Sequence, residues 1–277
     1  MEEPTHFALV WWSCQKESGS VRICVDLKPL NESVLREVHP LPKVDTTLAQ
    51  LAGARVFSKL DANSGFWQIP LDKQSRLLTT FITPFGRFCF NKLPFGILSA
   101  PEHFQRRMND ILQGLPGIVC HIDDVLVFGK DKEEHDARLH AALKRIQAAG
   151  LTLNREKCIF HESHVTFLGH VIDCSSISPD PRKTIAISEM REPSSVTDLR
   201  RFMGMVNQMN KFSPNIDNLS QPLRELLSTK RMWVWTPRHK EAFQKLKEET
   251  TSPRVLTLYD VEAETKISAD ASAIVYI

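Results

Sequence analysis

The chain has 277 residues, of which 42% are hydrophobic and 25% charged, and its formal net charge is +2. Those proportions exclude a disordered or fibrous chain, and the length suits one large domain or two smaller ones. No apolar run approaches the about 20 residues of a membrane-spanning helix. Glu2 and Glu3 stand where a secretory signal carries positive charge, so an intracellular location, cytoplasmic or nuclear, is expected, with no membrane partner.

In chain order, Val21, Ile23 and Val25 alternate with polar or small residues, the pattern of a half-buried strand. His39-Pro40-Leu41-Pro42 breaks the chain, and a helical segment runs from Val44 to Leu51, ending near Gly53. Arg55 to Asp61 reads as a short strand with a carboxylate at its C-terminal end. Ser99-x-x-Glu102 fits a capping box that opens a helix with Phe104, Met108, Ile111 and Leu112 on one stripe. Ile118 to Gly129 reads as a hairpin with Asp123-Asp124 at or near its tip. Asp131-x-x-Glu134 caps a further helix with Leu139, Leu143 and Ile146 buried and Gly150 near its end. Thr166 to Ile172 reads as a strand. Helices follow Ser178-Pro179-Asp180-Pro181, then Ser194 or Ser195 (with Leu199, Phe202, Val206 and Met209 inward), then Thr236-Pro237 (with Ala242, Phe243 and Leu246 inward). Thr265 to Asp270 reads as a last strand. The six cysteines form no C-x-x-C pair and read as buried reduced thiols rather than zinc ligands.

Two adjacent carboxylates between apolar strands repel each other, and a bound cation relieves the repulsion. Spacing alone leaves a solvated turn and a metal site both open.

Five ordered motifs carry a resemblance. Phe57-Ser58-Lys59-Leu60-Asp61-Ala62-Asn63-Ser64-Gly65-Phe66-Trp67-Gln68-Ile69 resembles the first catalytic motif of reverse transcriptases, and Leu93-Pro94-Phe95-Gly96-Ile97-Leu98-Ser99-Ala100-Pro101 the second. His121-Ile122-Asp123-Asp124 resembles the third, and Phe167-Leu168-Gly169-His170 the primer-gripping strand. Val21 to Asn31 is similar to the finger-region signature. Together they resemble the gypsy-type long-terminal-repeat retrotransposon polyprotein over almost the whole chain. The resemblance implies an α+β right-hand polymerase: fingers and palm interleaved over residues 1–175 around an antiparallel palm sheet, a helical thumb or connection over 176–232, and a truncated ribonuclease H-like segment over 233–277. The implied activity is RNA-directed DNA polymerase, a nucleotidyltransferase, taking an RNA or DNA template with primer and deoxynucleoside triphosphates. The implied cofactor is a pair of Mg2+ ions, with Mn2+ as the alternative.

The same resemblance supplies roles. Asp61 and Asp123 are the main metal ligands, assisted by Asp124, with the Ala62 backbone carbonyl as a further metal contact. Phe66 is a steric gate against a 2′-hydroxyl, though core packing accounts for an isolated phenylalanine there as well. Arg22 contacts the triphosphate, with Lys16 as a second contact, while the residue taken alone reads equally as a surface strand arginine. Lys157 stands where a lysine protonates pyrophosphate; by itself it reads as a solvated lysine. Phe95 and Gly96 lie beneath the incoming base and template, and Phe167, Leu168 and Gly169 hold the primer terminus. Arg200, Arg201 and Lys211 give the thumb a basic face, which reads equally as a solvated helix surface.

The chain departs from the pattern in places. His121 replaces a common tyrosine, and Glu17 follows Lys16 where the family has a second lysine. Met1 falls inside the fingers. Asp270 matches the first metal ligand of ribonuclease H, but the chain stops at Ile277 before the remaining ligands, so no ribonuclease H activity is expected. Three rivals stay open: a catalytically dead nucleic-acid-binding remnant, an RNA-templated RNA polymerase (against which Phe66 argues), and a metal hydrolase, for which only His121 offers a further ligand near the pair.

Overall fold

In the computed structural model, which describes residues 8–15, 19, 21–35, 39–228, 233–252 and 255–257, the alternating segment at the start becomes a hairpin. β1 (Trp11–Gln15) pairs antiparallel with β2 (Val21–Val25), setting Cys14 opposite Arg22. Two short helices follow, α1 (Lys28–Asn31) and α2 (Val44–Ala49). β3 (Val56–Asp61) enters the central sheet. After a 3-10 turn at Gly65–Gln68, α3 (Lys73–Leu78) leads into the hairpin of β4 (Phe81–Thr83) and β5 (Gly86–Phe88). Leu9, Leu27, Leu30 and Phe81 form a small core under these elements.

α4 (Ala100–Leu112) buries Phe104, Met108 and Leu112, as the helical stripe requires. Ser99 precedes it without capping: its backbone sits at φ −89, ψ 0 rather than extended, and its side chain accepts no cap hydrogen bond. β6 (Ile118–His121) and β7 (Asp124–Gly129) form the expected hairpin. α5 (Lys132–Ala148) is capped by Asp131, which accepts from the Glu134 amide at 2.9 Å, while Glu134 accepts from the Lys130 amide at 2.8 Å. β8 (Ile159–Glu162) completes an antiparallel sheet of order β6-β7-β3-β8.

The expected strand over 166–172 is instead a second hairpin. β9 (His164–Phe167) and β10 (His170–Asp173) join through Leu168 and Gly169, at φ 51 and 75. Two consecutive left-handed residues match the two-residue turns that follow strand twist, and apolar alternation alone does not disclose such a turn when leucine takes one of its places. β11 (Ser176–Pro179) extends this second sheet. α6 (Pro181–Ser188), α7 (Val196–Asn207), α8 (Asn215–Leu226) and α9 (Pro237–Thr251) follow, and β12 (Leu256–Thr257) pairs with β11. Of the two candidate caps for α7, Ser195 accepts from the Asp198 amide.

Period-2 alternation splits the central sheet into two faces. Phe57 and Leu126 point into a core shared with Phe167, Phe202, Phe243 and Leu246, so α9 packs into the same interior as α7 and α8. Leu60, Val125 and Val127 point the other way, against Phe104 and Met108 of α4 and Leu139, Ala142 and Ile146 of α5. Each such side chain contributes about 1.5–3 kcal/mol by leaving water, which fixes the register and hence the face on which each polar residue emerges. No helix of the described residues is long and apolar enough to cross a membrane.

Candidate active site

The register of β3 against β7 sets Phe57 opposite Phe128, Lys59 opposite Leu126 and Asp61 opposite Asp124. Directly opposed residues of antiparallel strands share a face, so Asp61 and Asp124 emerge side by side. Asp123 occupies the second place of the two-residue turn joining β6 to β7, and its carbonyl accepts from the Ala62 amide at 2.9 Å. The fold thus brings the adjacent pair Asp123-Asp124 together with Asp61, which lies about sixty positions earlier in sequence.

Their charges are only partly balanced. Lys59 reaches Asp124 Oδ1 at 2.9 Å, and Lys157 Nζ lies 3.6 Å from Asp61 Oδ2. Burial lifts the Asp123 carboxyl above the ordinary carboxylate range, and the Asp124 and Asp61 charges lift it further. Asp61 is 8% exposed. Its carbonyl accepts from the Asn154 amide at 2.9 Å, and its amide points at Cys158 Sγ, 3.5 Å away. Burial pushes the Cys120 thiol of the same hairpin up to about 12, with Asp123 and Asp124 adding to the effect. It therefore stays protonated and offers no thiolate. The donor set is hard oxygen, which suits Mg2+ or Mn2+.

Three residues that pattern reading passes over hold this arrangement. Gln105 of α4 is fully buried; its side-chain amide donates to the Cys120 carbonyl at 3.1 Å, and its oxygen accepts from the Ile122 amide at 2.6 Å. Ile122 has φ 56, unfavourable for a β-branched residue, so the clamp sits on a strained turn. Gln68 donates to the Asn63 and Thr152 carbonyls and accepts from the Thr152 amide, tying the segment after Asp61 to the one before Lys157. Lys59 is the third. Its signal was its place two residues before Asp61, on the same strand face; Gln105 betrayed itself only as a polar residue beside the Phe104–Met108 stripe.

Phe66 is half-buried, its ring 5.1 Å from Phe95 and 5.6 Å from Phe104. Phe95 is exposed, and the Gly96 carbonyl accepts from Asn31 Nδ2 at 2.8 Å, linking that loop to the α1 segment. Ala62 is buried beside Asp61. Phe167 is fully buried, and Leu168 and Gly169 form the turn above it. Arg200 and Arg201 are exposed on α7, while Lys211 reaches Asp45 at 3.2 Å. Arg22 lies on β2, known here by its backbone pairing. Lys16 and Asp270 lie outside the described residues.

Residues 14–172 match the family described as reverse transcriptase (RNA-dependent DNA polymerase), and residues 235–276 match the RNase H-like domain found in reverse transcriptase. The chain is similar to the Transposon Tf2-3 and Tf2-4 polyproteins of Schizosaccharomyces pombe. Each is 34% identical over 259 residues, 93% of this chain and 19% of the relative. Among solved structures it is similar to the foamy viral protease-reverse transcriptase dRH in complex with double-stranded DNA, with TM-score 0.87 and 24% identity over 95% of this chain and 47% of that one. A second likeness is to the foamy viral protease-reverse transcriptase in complex with RNA/DNA hybrid, with TM-score 0.80 and 23% identity over 92% of this chain and 35% of that one. These likenesses bear out the α+β right-hand architecture, and the polyprotein relatives bear out the retrotransposon resemblance. The chain spans about a fifth of the length of those curated relatives.

Proposed function

The chain belongs to the reverse transcriptase (RNA-dependent DNA polymerase) family, and from that premise we propose that it is the polymerase portion of a retrotransposon polyprotein, extending a primer with deoxynucleotides on an RNA or DNA template inside the cell. The observation that carries the proposal is the opposition of Asp61 and Asp124 across β3 and β7 with Asp123 at the adjoining turn. Asp61, Asp123 and Asp124 would hold two Mg2+ ions, or Mn2+, with the Ala62 carbonyl as a further ligand. The chemistry such ions supply when bound is activation of the primer 3′-hydroxyl and neutralisation of charge on the phosphates.

The chain's own residues do the rest. Arg22 receives the triphosphate by forked hydrogen bonds, with Lys16 as a second contact. Lys157 supplies a proton to the departing pyrophosphate. The ring of Phe66, braced by Phe95 and Phe104, walls off the 2′ position, and Phe95 with Gly96 underlies the base. Leu168 and Gly169 grip the primer end, on the turn that the buried Phe167 supports, and Arg200, Arg201 and Lys211 follow the duplex backbone. In this reading residues 1–175 are fingers and palm, 176–232 the thumb or connection, and 233–277 the ribonuclease H-like segment, to which Asp270 belongs.

Primer extension on poly(rA)–oligo(dT) with Mg2+ tests the proposal, with Asp61→Asn as the control. Extension by the parent and none by the variant is expected. A parent chain that shifts primer–template in a gel but never extends it is a binding remnant, and the polymerase reading then fails.

A further inference from the structure

The first turn of α5 approaches the sheet face opposite the three carboxylates. It does so over Gly129, where any side chain would meet the His135 backbone at 2.7 Å. This close approach buries His135 completely beneath Ser58 of β3, a residue that points away from Asp61 by strand alternation. His135 Nε2 lies 2.9 Å from Ser58 Oγ, and its Nδ1 lies 3.1 Å from Asp136 Oδ1. His161 of β8 completes the group: its Nε2 is 2.5 Å from the same Asp136 oxygen, and its backbone amide donates to Ser58 Oγ at 3.1 Å. Its φ is 58, a left-handed conformation that histidine enters at some cost. Ligand atoms of His135, Asp136 and His161 all lie within 4.8 Å of one another, and among the described residues no other trio of His, Cys, Asp or Glu side chains converges so closely.

We propose that His135, Asp136 and His161 form a binding site for a Zn2+-class transition-metal ion on the sheet face opposite the polymerase carboxylates, clamping strand β8 to helix α5. Two imidazole nitrogens and one carboxylate oxygen are the donor set that zinc takes with three protein ligands and water in the fourth place. Mg2+ demands oxygen ligands in octahedral array, so chemistry sorts the two sites: hard ions to the three aspartates, a borderline ion to the imidazoles. Zinc–ligand bonds of about 2.0–2.2 Å set donors roughly 3.3 Å apart. The Asp136–His161 hydrogen bond must therefore open, the His135–Asp136 separation of 3.1 Å is already close, and the two imidazole nitrogens, within 4.8 Å, must approach by up to about 1.5 Å. The movable partners are the exposed ones, since the Asp136 and His161 side chains are 45% and 43% exposed; that exposure also leaves room for the water. The buried ligand is held by Ser58, whose hydroxyl can donate to Nε2 or accept from it. His135 can thus present a free Nδ1 to the ion while Nε2–H donates to Ser58, the outer-shell arrangement that orients metal-bound imidazoles.

The clamp has a mechanical reason. All four residues of β8 are exposed, and its pairing with β3 loses register between Phe57 and Lys59. Lys157 and Cys158, both beside Asp61, immediately precede it. An ion joining β8 to α5 fixes the base of that segment from behind the sheet.

Titration of the full chain with Zn2+ in excess Mg2+, followed by calorimetry, should show uptake of one equivalent, with Co2+ giving the visible absorption of a tetrahedral nitrogen–oxygen site. Zn2+ should raise the melting temperature by a few degrees. Asp136→Asn and His161→Gln, both at exposed positions and therefore expected to fold, should weaken uptake at least tenfold and abolish the thermal shift. Asp123→Asn should change neither. No uptake by the parent, uptake indifferent to the Asp136 and His161 variants, loss in Asp123→Asn, or a sulfur-to-cobalt charge-transfer band would each overturn the proposal.

Discussion

Two of the hairpins, β6–β7 and β9–β10, turn in two residues and are held by opposite means. In the β6–β7 turn the first residue is Ile122 at φ 56, and the second is Asp123, proposed above as a metal ligand. Glycine would ease the first position, yet isoleucine stands there, packed partly against the α4–α5 core, and the buried amide of Gln105 grips the peptide on both sides. In the β9–β10 turn, Leu168 at φ 51 also packs into a core, but Gly169 at φ 75 takes the second left-handed place, and Lys183 lies where a side chain there would project. A turn that must present charge in a fixed direction is clamped by hydrogen bonds from a neighbouring helix. The β9–β10 turn instead meets its second left-handed position with glycine, and the Lys183 side chain fills the space a β-carbon would take.

That contrast can be broken most severely at Asp123. If Asp123 is the metal ligand proposed above, Asp123→Asn should lower primer extension by about 10³-fold or more. The same substitution should leave the melting temperature unchanged or slightly higher, since it removes repulsion from Asp61 and Asp124. Destabilisation by several degrees would mean that the carboxylate carries a structural role instead. Gln105→Leu keeps the volume but leaves the partly buried Ile122 amide without its acceptor. A loss on the order of 2 kcal/mol in urea unfolding is expected, with about tenfold slower extension and an unchanged KM for primer–template. Equal activity in parent and variant would show that the turn needs no clamp.

Phe66→Ala sharpens the comparison from the nucleotide side. If the braced ring excludes the 2′-hydroxyl, competition assays should show ribonucleotide incorporation rising by one to two orders of magnitude relative to the parent, about 1.4 kcal/mol per tenfold; unchanged selectivity would return Phe66 to ordinary core packing. At the other hairpin, Gly169→Ala should cost about 1 kcal/mol for a β-carbon at φ 75, with the flexible end of Lys183 giving way. Its kinetic effect should fall on the KM for primer–template rather than on kcat.

A pH-dependent effect on stability is expected at His170, which opens β10. Burial, with Lys211 and Lys183 nearby, depresses its pKa from 6.5 to about 4. As pH falls, the unfolded chain takes up the proton first, so stability is present above about pH 6.5 and is lost between 6.5 and 4. The loss is on the order of 3 kcal/mol at most. Urea midpoints measured from pH 7 to 4.5 should fall less steeply for His170→Gln than for the parent.

Much of the architecture was legible because its signals are local. The stripe of Phe104, Met108 and Leu112 announced α4, Asp131 announced the start of α5, and Asp123-Asp124 between apolar runs announced a hairpin. Ser99 misled because the same residue type can stand before a helix in a backbone conformation that turns its hydroxyl away from the first amides. The β9–β10 turn was hidden because leucine is a common strand residue and a rare left-handed one. Of the site, the aspartates were legible through their motifs. Gln105 and Gln68 were not, since such a glutamine is marked by its partners, and the decisive ones, Cys120 for Gln105 and Thr152 for Gln68, lie 15 and 84 positions away.

What the sequence by itself determined was the inventory: which segments are strands or helices, which carboxylates are available, and which family the motifs resemble. Local periodicity and turn chemistry act between near neighbours and leave their mark in the order of residues. Which side chains face each other was decided by the tertiary structure alone. Register between β3 and β7 follows from burying one apolar set on each side of the sheet, and that single constraint puts Asp61 beside Asp124 on one face while His135 and His161 meet around Asp136 on the other.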